Sequence, residues 1–220
     1  MTVAATEGQA RDRAQFLLRM RQRGVGDVRV LRAMERTPRS FFVAQRYADI
    51  AARDIALPIG GGQTAPPPST TAAMLEALRL EPKHSVLEIG AGSGYAAALI
   101  AQLATDVLSM ERCQSLAVEA AARLAAFGLD NVRVLYADGL APSVKETRFE
   151  RVLVHALIEP PAPRLTRWLA PGGVLVAAVA EAEGQRIVRL SLKPDGTLKV
   201  EPLGAVRTLT PLVVGLMRAL

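Results

Sequence analysis

Apolar and polar positions follow two different patterns along this chain of 220 residues. Over residues 1–50, apolar side chains such as Phe16 and Met20 recur at three- and four-residue spacings between charged ones, which predicts amphipathic helices. A glycine at Gly24 and a Thr-Pro step at Pro38 interrupt that spacing. We therefore expect two short helices in this part of the chain, followed by a third over residues 42–51.

A segment rich in glycine and proline separates these helices from the rest of the chain. Residues 55–70 contain three consecutive glycines and three consecutive prolines, which exclude regular structure there and predict an irregular loop. A helix is expected to begin at Ser69 or Thr70, because both are good N-cap residue types, and to end near Leu80.

From residue 85 onward, short apolar runs alternate with helical segments, and this alternation predicts a parallel sheet. Strands are expected over residues 86–89, 107–110, 132–136, 151–155 and 174–179, with helices over 95–104, 116–127 and 163–169. A strand at 186–192, followed by a Pro-Asp-Gly turn, predicts a terminal β-hairpin. The predicted fold is α/β, a doubly wound and mostly parallel sheet over residues 69–220, with an N-terminal helical cap and loop over residues 1–68.

The composition narrows the class of protein. With 50% hydrophobic and 22% charged residues, the chain can bury a sizeable core and is not disordered. Cys113 is the one cysteine, which excludes an intrachain disulfide and a cysteine-rich metal site, so we expect no metal. The net charge of +6 could indicate nucleic acid, but scattered arginines and 4% aromatic residues argue against it. Without a signal or spanning segment, we expect a cytoplasmic protein with no nucleic-acid or membrane partner.

A glycine-rich turn after the strand at 86–89 is the main candidate for ligand binding. Its glycines let a ligand approach the backbone, and the helix that follows offers unpaired N–H groups. A dinucleotide site has its third glycine three residues after the second. In this chain Gly94 follows Gly92 by two residues, and Glu88 lies two residues before Gly90. The pattern E-x-G-x-G-x-G is typical of class I S-adenosylmethionine methyltransferases.

Acidic residues at the ends of the next two strands extend this prediction. Glu111 lies 19 residues after Gly92 and could accept hydrogen bonds from both ribose hydroxyls, a feature that NAD enzymes share. Asp138 matches the acid that contacts the adenine amino group in these methyltransferases. Glu88 could instead be a structural acid, and Tyr95 a packing aromatic. The predicted cofactor is S-adenosylmethionine, with S-adenosylhomocysteine as product, and the predicted cofactor-binding residues are Glu88, Gly90, Gly92, Gly94, Tyr95, Glu111, Asp138 and Gly139.

The loop before the glycine turn carries a more specific signal. Its run Leu-Pro-Ile-Gly-Gly-Gly-Gln-Thr at residues 57–64 resembles the L-P-I-G-x-G-Q-T signature of protein-L-isoaspartate O-methyltransferases. Residues 23–31, 37–43, 128–132 and 171–173 are similar to other stretches of that family, in the same order. The resemblance covers the chain from residue 11 to the end. It implies a Rossmann-like class I methyltransferase fold with a seven-stranded sheet.

The resemblance also implies the activity and the partner. The family methylates the free α-carboxylate of L-isoaspartyl residues, and D-aspartyl residues less well, in damaged proteins. The implied partner is therefore a peptide or protein that carries an isoaspartyl residue, and the enzyme is expected as a monomer or dimer. The residues implied to bind this substrate are Ile59, Gly60, Gln63, Thr64 and Pro66.

Three departures from the family pattern lie on the expected acceptor side. The family serine whose hydroxyl lies at the substrate carboxylate is replaced by Pro66, which has neither a hydroxyl nor a backbone N–H. His155 stands in a run where the family has Val-Thr-Ala-Ala, and Ala44 stands where it has proline. A carboxylate is already a nucleophile, so alignment can supply most of the acceleration. We therefore expect Thr64 and His155 to be the residues nearest the reaction.

These departures leave other functions open. The fold could serve a different acceptor, either a small molecule or another protein group, with His155 as the base. It could also bind S-adenosylmethionine, or a partner, without repair activity because of Pro66. Nucleic-acid methylation is disfavoured, because residues 155–158 lack the aromatic and proline residues that hold an exocyclic amino group.

Overall fold

Helices and strands alternate along most of the chain. The computed structural model describes residues 3–141 and 147–218, with side chains from residue 10 onward. The helices are α1 (Val3–Gln22), α2 (Val28–Arg36), α3 (Pro68–Leu78), α4 (Tyr95–Ala101), α5 (Gln114–Ala126) and α6 (Pro163–Thr166). None of these helices is both long and apolar enough to span a lipid bilayer. The strands are β1 (Leu57–Pro58), β2 (Thr64–Ala65), β3 (Ser85–Ile89), β4 (Asp106–Glu111), β5 (Val132–Tyr136), β6 (Phe149–Leu157), β7 (Leu169–Glu181), β8 (Gly184–Leu192) and β9 (Leu198–Val206).

The longer strands form one sheet of seven within the described residues, in the order β5-β4-β3-β6-β7-β8-β9. Strand β3 pairs in parallel with β4 on one side and with β6 on the other, whereas β8 pairs antiparallel with β7 and β9. The predicted doubly wound, mostly parallel sheet with a C-terminal β-hairpin is thus confirmed. Because the chain moves outward from β3 and later returns to its other side, a crevice opens beyond the carboxyl ends of β3 and β6.

The third helix predicted in the N-terminal part is not an α-helix. Two short 3₁₀ turns occupy this stretch, at Arg39–Phe42 and Gln45–Ile50. Between them, Val43 and Ala44 have extended backbone angles (φ −119°, ψ 163° and φ −62°, ψ 144°). This extended step interrupts the succession of i→i+4 hydrogen bonds that an α-helix needs. The first helix is also longer than predicted.

The loop at residues 55–70 contains more regular structure than predicted. Leu57 pairs with Ala65, and Pro58 with Thr64, in the two-residue strands β1 and β2. The glycines between them permit this reversal, because Gly61 adopts a φ of +63°, in the left-handed region. The prediction that no regular structure occurs here was therefore wrong for the ends of the hairpin.

Ser69 is not the N-cap of the helix that follows, contrary to the prediction. Helix α3 is N-capped by Pro67, which places Ser69 inside the first turn. The backbone N–H of Ser69 donates to Asp54 Oδ1 at 2.9 Å, and its hydroxyl donates to Asp54 Oδ2 at 2.8 Å. Asp54 therefore supplies the capping carboxylate from outside the helix, and so attaches the start of the loop at residues 55–70 to α3.

The N-terminal helices pack against the same core as the sheet. Met20 of α1 and Phe42 belong to one cluster of buried side chains with Leu75 of α3 and Leu99 of α4. Complete burial of one such side chain contributes about 1.5–3 kcal/mol to folding. The boundary after residue 68 stays a prediction, and the shared cluster ties the two sides of that boundary together.

Glu76 joins the start of α2 to α3, and its removal is expected to destabilise the fold. Its Oε1 accepts from the backbone N–H of Gly26 at 2.7 Å and of Asp27 at 2.5 Å. Substitution Glu76→Ala leaves both donors without this partner, so we expect a loss of about 1.5–3 kcal/mol in the free energy of unfolding. Urea denaturation of the wild type and the variant measures this loss. Glu76→Gln retains an acceptor oxygen and should lose less, and equal losses in the two variants would contradict this account.

Candidate active site

A cavity of about 340 Å³ opens at the carboxyl ends of the central strands. This volume lies in the range of about 300–1,000 Å³ that is typical of small-molecule sites. Its walls come from the glycine turn after β3, the end of β4, the residues after β5, the hairpin loop at 59–66 and the C-terminal segment at 208–217. The cavity therefore brings the glycine turn and the hairpin loop, the two motifs singled out from the sequence, into one site.

The glycine turn forms the floor of this cavity. Gly90 donates its backbone N–H to Met110 O at 2.8 Å, which fixes the turn to the end of β4. Gly92 has a φ of +53°, and a Cβ added there would lie 3.2 Å from Ile59 Cδ1. Because Gly92 has no side chain, the hairpin loop at 59–66 can approach the glycine turn closely. Gly94, by contrast, packs against Ala120 of α5 and does not line the cavity.

Two of the predicted acids line the cavity and are held in place by backbone donors. Glu111 accepts from the N–H of Cys113 at 2.8 Å and of Gly92 at 2.9 Å, one bond to each carboxylate oxygen. Asp138 accepts from the N–H of Leu140 at 2.8 Å and of Gly215 at 2.7 Å. Because a carboxylate can accept about four hydrogen bonds, each acid keeps lone pairs for hydroxyl or amino groups of a ligand.

Glu88 lies behind the glycine turn rather than in the cavity wall. It is fully buried, and its Oε1 lies 2.9 Å from His155 Nε2 while its Oε2 accepts from the Ser109 hydroxyl at 2.5 Å. His155 lines the cavity, and its Nδ1 is buried without a hydrogen-bond partner among the described residues. The pair joins two predicted site residues that lie 67 positions apart in sequence.

The predicted acceptor residues form one wall. Ile59, Gln63, Thr64 and Pro66 line the cavity, whereas Gly60 does not, and a Cβ added there would lie 3.3 Å from Leu116 Cδ2. The hairpin is closed by the N–H of Ile59, which donates to Gln63 O at 2.9 Å. At the position of the family serine, this wall thus presents a proline ring, with the exposed Thr64 beside it.

Tyr95 also lines the cavity, and its hydroxyl is buried without a partner among the described residues. Burial raises the pKa of this phenol above its ordinary value. The ring packs on Phe42, with centroids 5.9 Å apart. Tyr95 therefore combines the packing role and the cavity position that the sequence left as alternatives.

The C-terminal segment at residues 208–217, which was not predicted from the sequence, covers the cavity. Leu157 at the end of β6 donates its N–H to Thr210 O at 2.8 Å, and its own carbonyl accepts from Leu212 N at 3.0 Å. Farther along, Met217 N donates to Arg112 O at 2.7 Å. An apolar run around Pro211 that belonged to no predicted element was the available signal for a segment of this kind.

The chain is similar to proteins of one family over almost its whole length. Residues 11–215 match the family model described as Protein-L-isoaspartate(D-aspartate) O-methyltransferase (PCMT). The chain is 44% identical to protein-L-isoaspartate O-methyltransferase 2 of Rhodopseudomonas palustris, over 93% of this chain and 94% of that protein. It is 43% identical to a protein-L-isoaspartate O-methyltransferase of Xanthobacter autotrophicus, over 98% of both.

A solved structure shares the fold. The crystal structure described as a β-aspartate methyltransferase (PCMT) from Plasmodium falciparum, in complex with S-adenosyl-L-homocysteine, matches with a TM-score of 0.78 at 21% identity. The match covers 89% of this chain and 96% of that one. The seven-stranded sheet with flanking helices is therefore the fold of this class of structure.

Two adjacent glycines of the hairpin should respond differently to substitution. Both have positive φ, so Gly61→Ala and Gly62→Ala each cost about 1–2 kcal/mol of backbone strain. A Cβ at Gly61 would also lie 2.9 Å from Cys113 Sγ, whereas one at Gly62 meets nothing within 4 Å. We therefore expect the larger loss of unfolding free energy for Gly61→Ala, measured by urea denaturation. Adding Cys113→Ala should remove the difference, and its persistence would rule out the steric explanation.

Proposed function

Since the chain belongs to the protein-L-isoaspartate O-methyltransferase family and is an S-adenosylmethionine-dependent methyltransferase, we propose that it methylates the free carboxylate of isoaspartyl residues in damaged proteins. The observation that supports this acceptor is that the glycine turn and its acids share one cavity with the Leu-Pro-Ile-Gly-Gly-Gly-Gln-Thr hairpin. One side of the cavity suits a nucleoside, and the other suits the backbone of an extended peptide.

The residues present fit the cofactor. Bound S-adenosylmethionine supplies an electrophilic methyl group on a sulfonium. Glu111 is proposed to accept hydrogen bonds from the ribose hydroxyls, and Asp138 from the adenine amino group, because both carboxylates line the cavity with lone pairs free. Gly90 and Gly92 allow close approach at the floor. Glu88 is assigned instead to holding His155, because it does not reach the cavity wall.

The acceptor side needs residues that orient a carboxylate and leave its attacking lone pair free. Thr64, on the exposed rim of the wall, is proposed to donate its hydroxyl to one carboxylate oxygen. The other oxygen would then remain available for attack. Proximity and alignment of this kind can supply a large part of a rate enhancement. A strong base is unnecessary, because the carboxylate carries its negative charge before it binds.

His155 supports a second candidate, in which the acceptor carries a proton. Its Nε2 is hydrogen-bonded to Glu88, and its Nδ1 has no partner among the described residues. A buried nitrogen without a partner could accept the proton of a hydroxyl or amino acceptor. If His155→Gln abolishes methylation of such an acceptor while calorimetry shows unchanged binding of S-adenosylmethionine, this second function is favoured.

We propose peptides and proteins with isoaspartyl residues as partners, a monomer or dimer, and a cytoplasmic location. Nucleic acid and membranes are not proposed as partners, because the basic residues are spread over the sequence instead of forming one stripe.

Transfer of a labelled methyl group tests the proposed function. Incubation with methyl-labelled S-adenosylmethionine and an isoaspartyl peptide should give base-labile label, whereas the matching aspartyl peptide should give none. Binding of the cofactor is measured in parallel by calorimetry. Tight cofactor binding without transfer to the isoaspartyl peptide would overturn the proposed acceptor, whereas absent binding would overturn the cofactor site.

Glu111→Gln is expected to weaken cofactor binding by roughly 10- to 100-fold, which corresponds to the loss of a charge-assisted hydrogen bond. The amide NH2 also replaces one of the two oxygens that accept from Gly92 N and Cys113 N, so one of these backbone donors loses its acceptor. Glu119→Gln is the matched control, because Glu119 is an acid on α5 that pairs only with Arg123 among the described residues. Similar dissociation constants for the two variants would contradict the role of Glu111.

Pro66→Ser restores the family hydroxyl in the acceptor wall. If the wall contacts the substrate carboxylate, the variant should raise kcat/KM for the isoaspartyl peptide by about tenfold, the effect of one added hydrogen bond. Thr64→Val, which removes the remaining hydroxyl on this wall, should lower it by a similar factor. Steady-state kinetics with the isoaspartyl peptide measures kcat/KM for both variants. Unchanged kcat/KM in both would place the acceptor carboxylate elsewhere.

A further inference from the structure

Arg39 is a buried cation that lies behind the acceptor wall. Only 4% of the residue is exposed, and no carboxylate forms an ion pair with it among the described residues. Burial lowers the pKa of its guanidinium, and the nearby carboxylate of Asp54 acts in the opposite direction. A buried charge without a counter-ion is costly, so it needs hydrogen-bond partners of another kind.

Backbone carbonyls at both ends of the hairpin provide those partners for Nη1 and Nη2, whereas Nε has none among the described residues. Nη1 donates to Ala51 O and to Ile55 O, each at 3.2 Å, just before the hairpin. Nη2 donates to Ala65 O at 3.4 Å, at the end of the hairpin's second strand, and to Pro66 O at 3.0 Å, immediately after it. One planar guanidinium thus closes both ends of the segment that carries the acceptor loop.

The hydrogen bond from Arg39 to the Pro66 carbonyl bears on the replacement of the family serine by proline. The carbonyl of residue 66 is held by Arg39 whatever its side chain is, so the loop can keep its path although proline offers no hydroxyl and no N–H. Ala65 and Pro66, whose carbonyls accept from Nη2, both line the cavity. The orientation of this wall therefore depends on a side chain that does not itself touch the cavity.

The charge of Arg39 acts on the same wall. In a poorly hydrated interior, a positive charge acts over several ångströms more strongly than it does in water. It can attract an anionic acceptor through the wall without donating a hydrogen bond to it, which leaves the carboxylate lone pairs free to attack. An acceptor loop held by an ordinary neutral side chain would lack this attraction.

We propose that Arg39 is the positioning residue of the acceptor site: it fixes the hairpin through the carbonyls at both of its ends and favours a carboxylate acceptor by its charge. The charge part of this proposal rests on the proposed function, because it presumes an anionic acceptor. The positioning part concerns the loop alone and can be tested without any substrate.

Kinetics of Arg39 variants test the proposal through the acceptor. Arg39→Lys keeps the charge but replaces the planar fork by one ammonium group, and Arg39→Met removes both. We expect KM for the isoaspartyl peptide to rise about tenfold in the lysine variant, equivalent to about 1.4 kcal/mol, and further in the methionine variant. The dissociation constant of S-adenosylmethionine should stay within about twofold of the wild-type value in both, because Arg39 does not line the cofactor side.

Arg189→Lys is the matched control. Arg189 is similarly buried, at 7% exposure, and donates to a backbone carbonyl, Ala77 O, at 3.4 Å, but it lies on β8 outside the cavity wall. Its substitution should lower stability without raising the peptide KM. An equal rise in KM for the Arg39 and Arg189 variants, an unchanged KM in Arg39→Lys, or a parallel loss of cofactor affinity would overturn the proposal.

Amide hydrogen exchange separates this inference from the proposed function. The amides of Ile59 and Gln63 are hydrogen-bonded within the hairpin, so they should exchange faster in Arg39→Lys than in wild type and remain unchanged in Arg189→Lys. This readout needs no acceptor and also serves if Arg39→Met does not fold. Unchanged exchange would overturn the positioning role. If exchange is faster in Arg39→Lys but the wild type does not methylate the isoaspartyl peptide, the positioning role of Arg39 stands. The proposed preference for a carboxylate acceptor is then overturned.

Discussion

Parallel pairing of β3 with both β4 and β6 is the constraint on which the rest of the site depends. In that register Glu88 lies beside Ser109 on one side and Leu153 on the other. Its buried carboxylate accepts from the Ser109 hydroxyl, and it reaches His155, two residues beyond Leu153 on β6. A shift of either strand would leave this charge without partners in a dry interior, which is costly. The pairing therefore fixes the relative positions of the glycine turn and the end of β6.

The acceptor wall is held by a different kind of contact. The hairpin at 57–65 has too few strand residues to be stable alone. Side chains outside it fix its ends: Asp54 binds Ser69 at the start of α3, and Arg39 binds carbonyls on both sides. The N-terminal cap thus serves the site as well as the core. A cavity wall built on such attachments can vary in its side chains while the backbone keeps its path.

This difference in support agrees with the sequence prediction that the departures from the family pattern leave the glycine turn unchanged. The glycine turn and the acids at 111 and 138 are fixed by strand ends and backbone donors. Position 66 contributes a carbonyl to the fold and only a ring to the cavity, so proline is tolerated there. At position 155 the histidine finds a partner for its Nε2 in Glu88.

The sequence by itself determined the parts that follow from local periodicity. Apolar runs ending in glycine or acid specify strands and their carboxyl ends, and parallel strands bring Glu111 and Asp138 to one edge, so the sheet and the shared position of these two acids at the cavity were predictable. Only the tertiary structure decided that Glu88 faces His155 rather than the cavity, that Ser69 binds Asp54, that Arg39 holds the hairpin, and that residues 208–217 cover the cavity. These contacts join positions far apart in the chain. No local pattern of hydrophobic and polar residues encodes them, because each depends on which side chains the completed packing brings within hydrogen-bond distance.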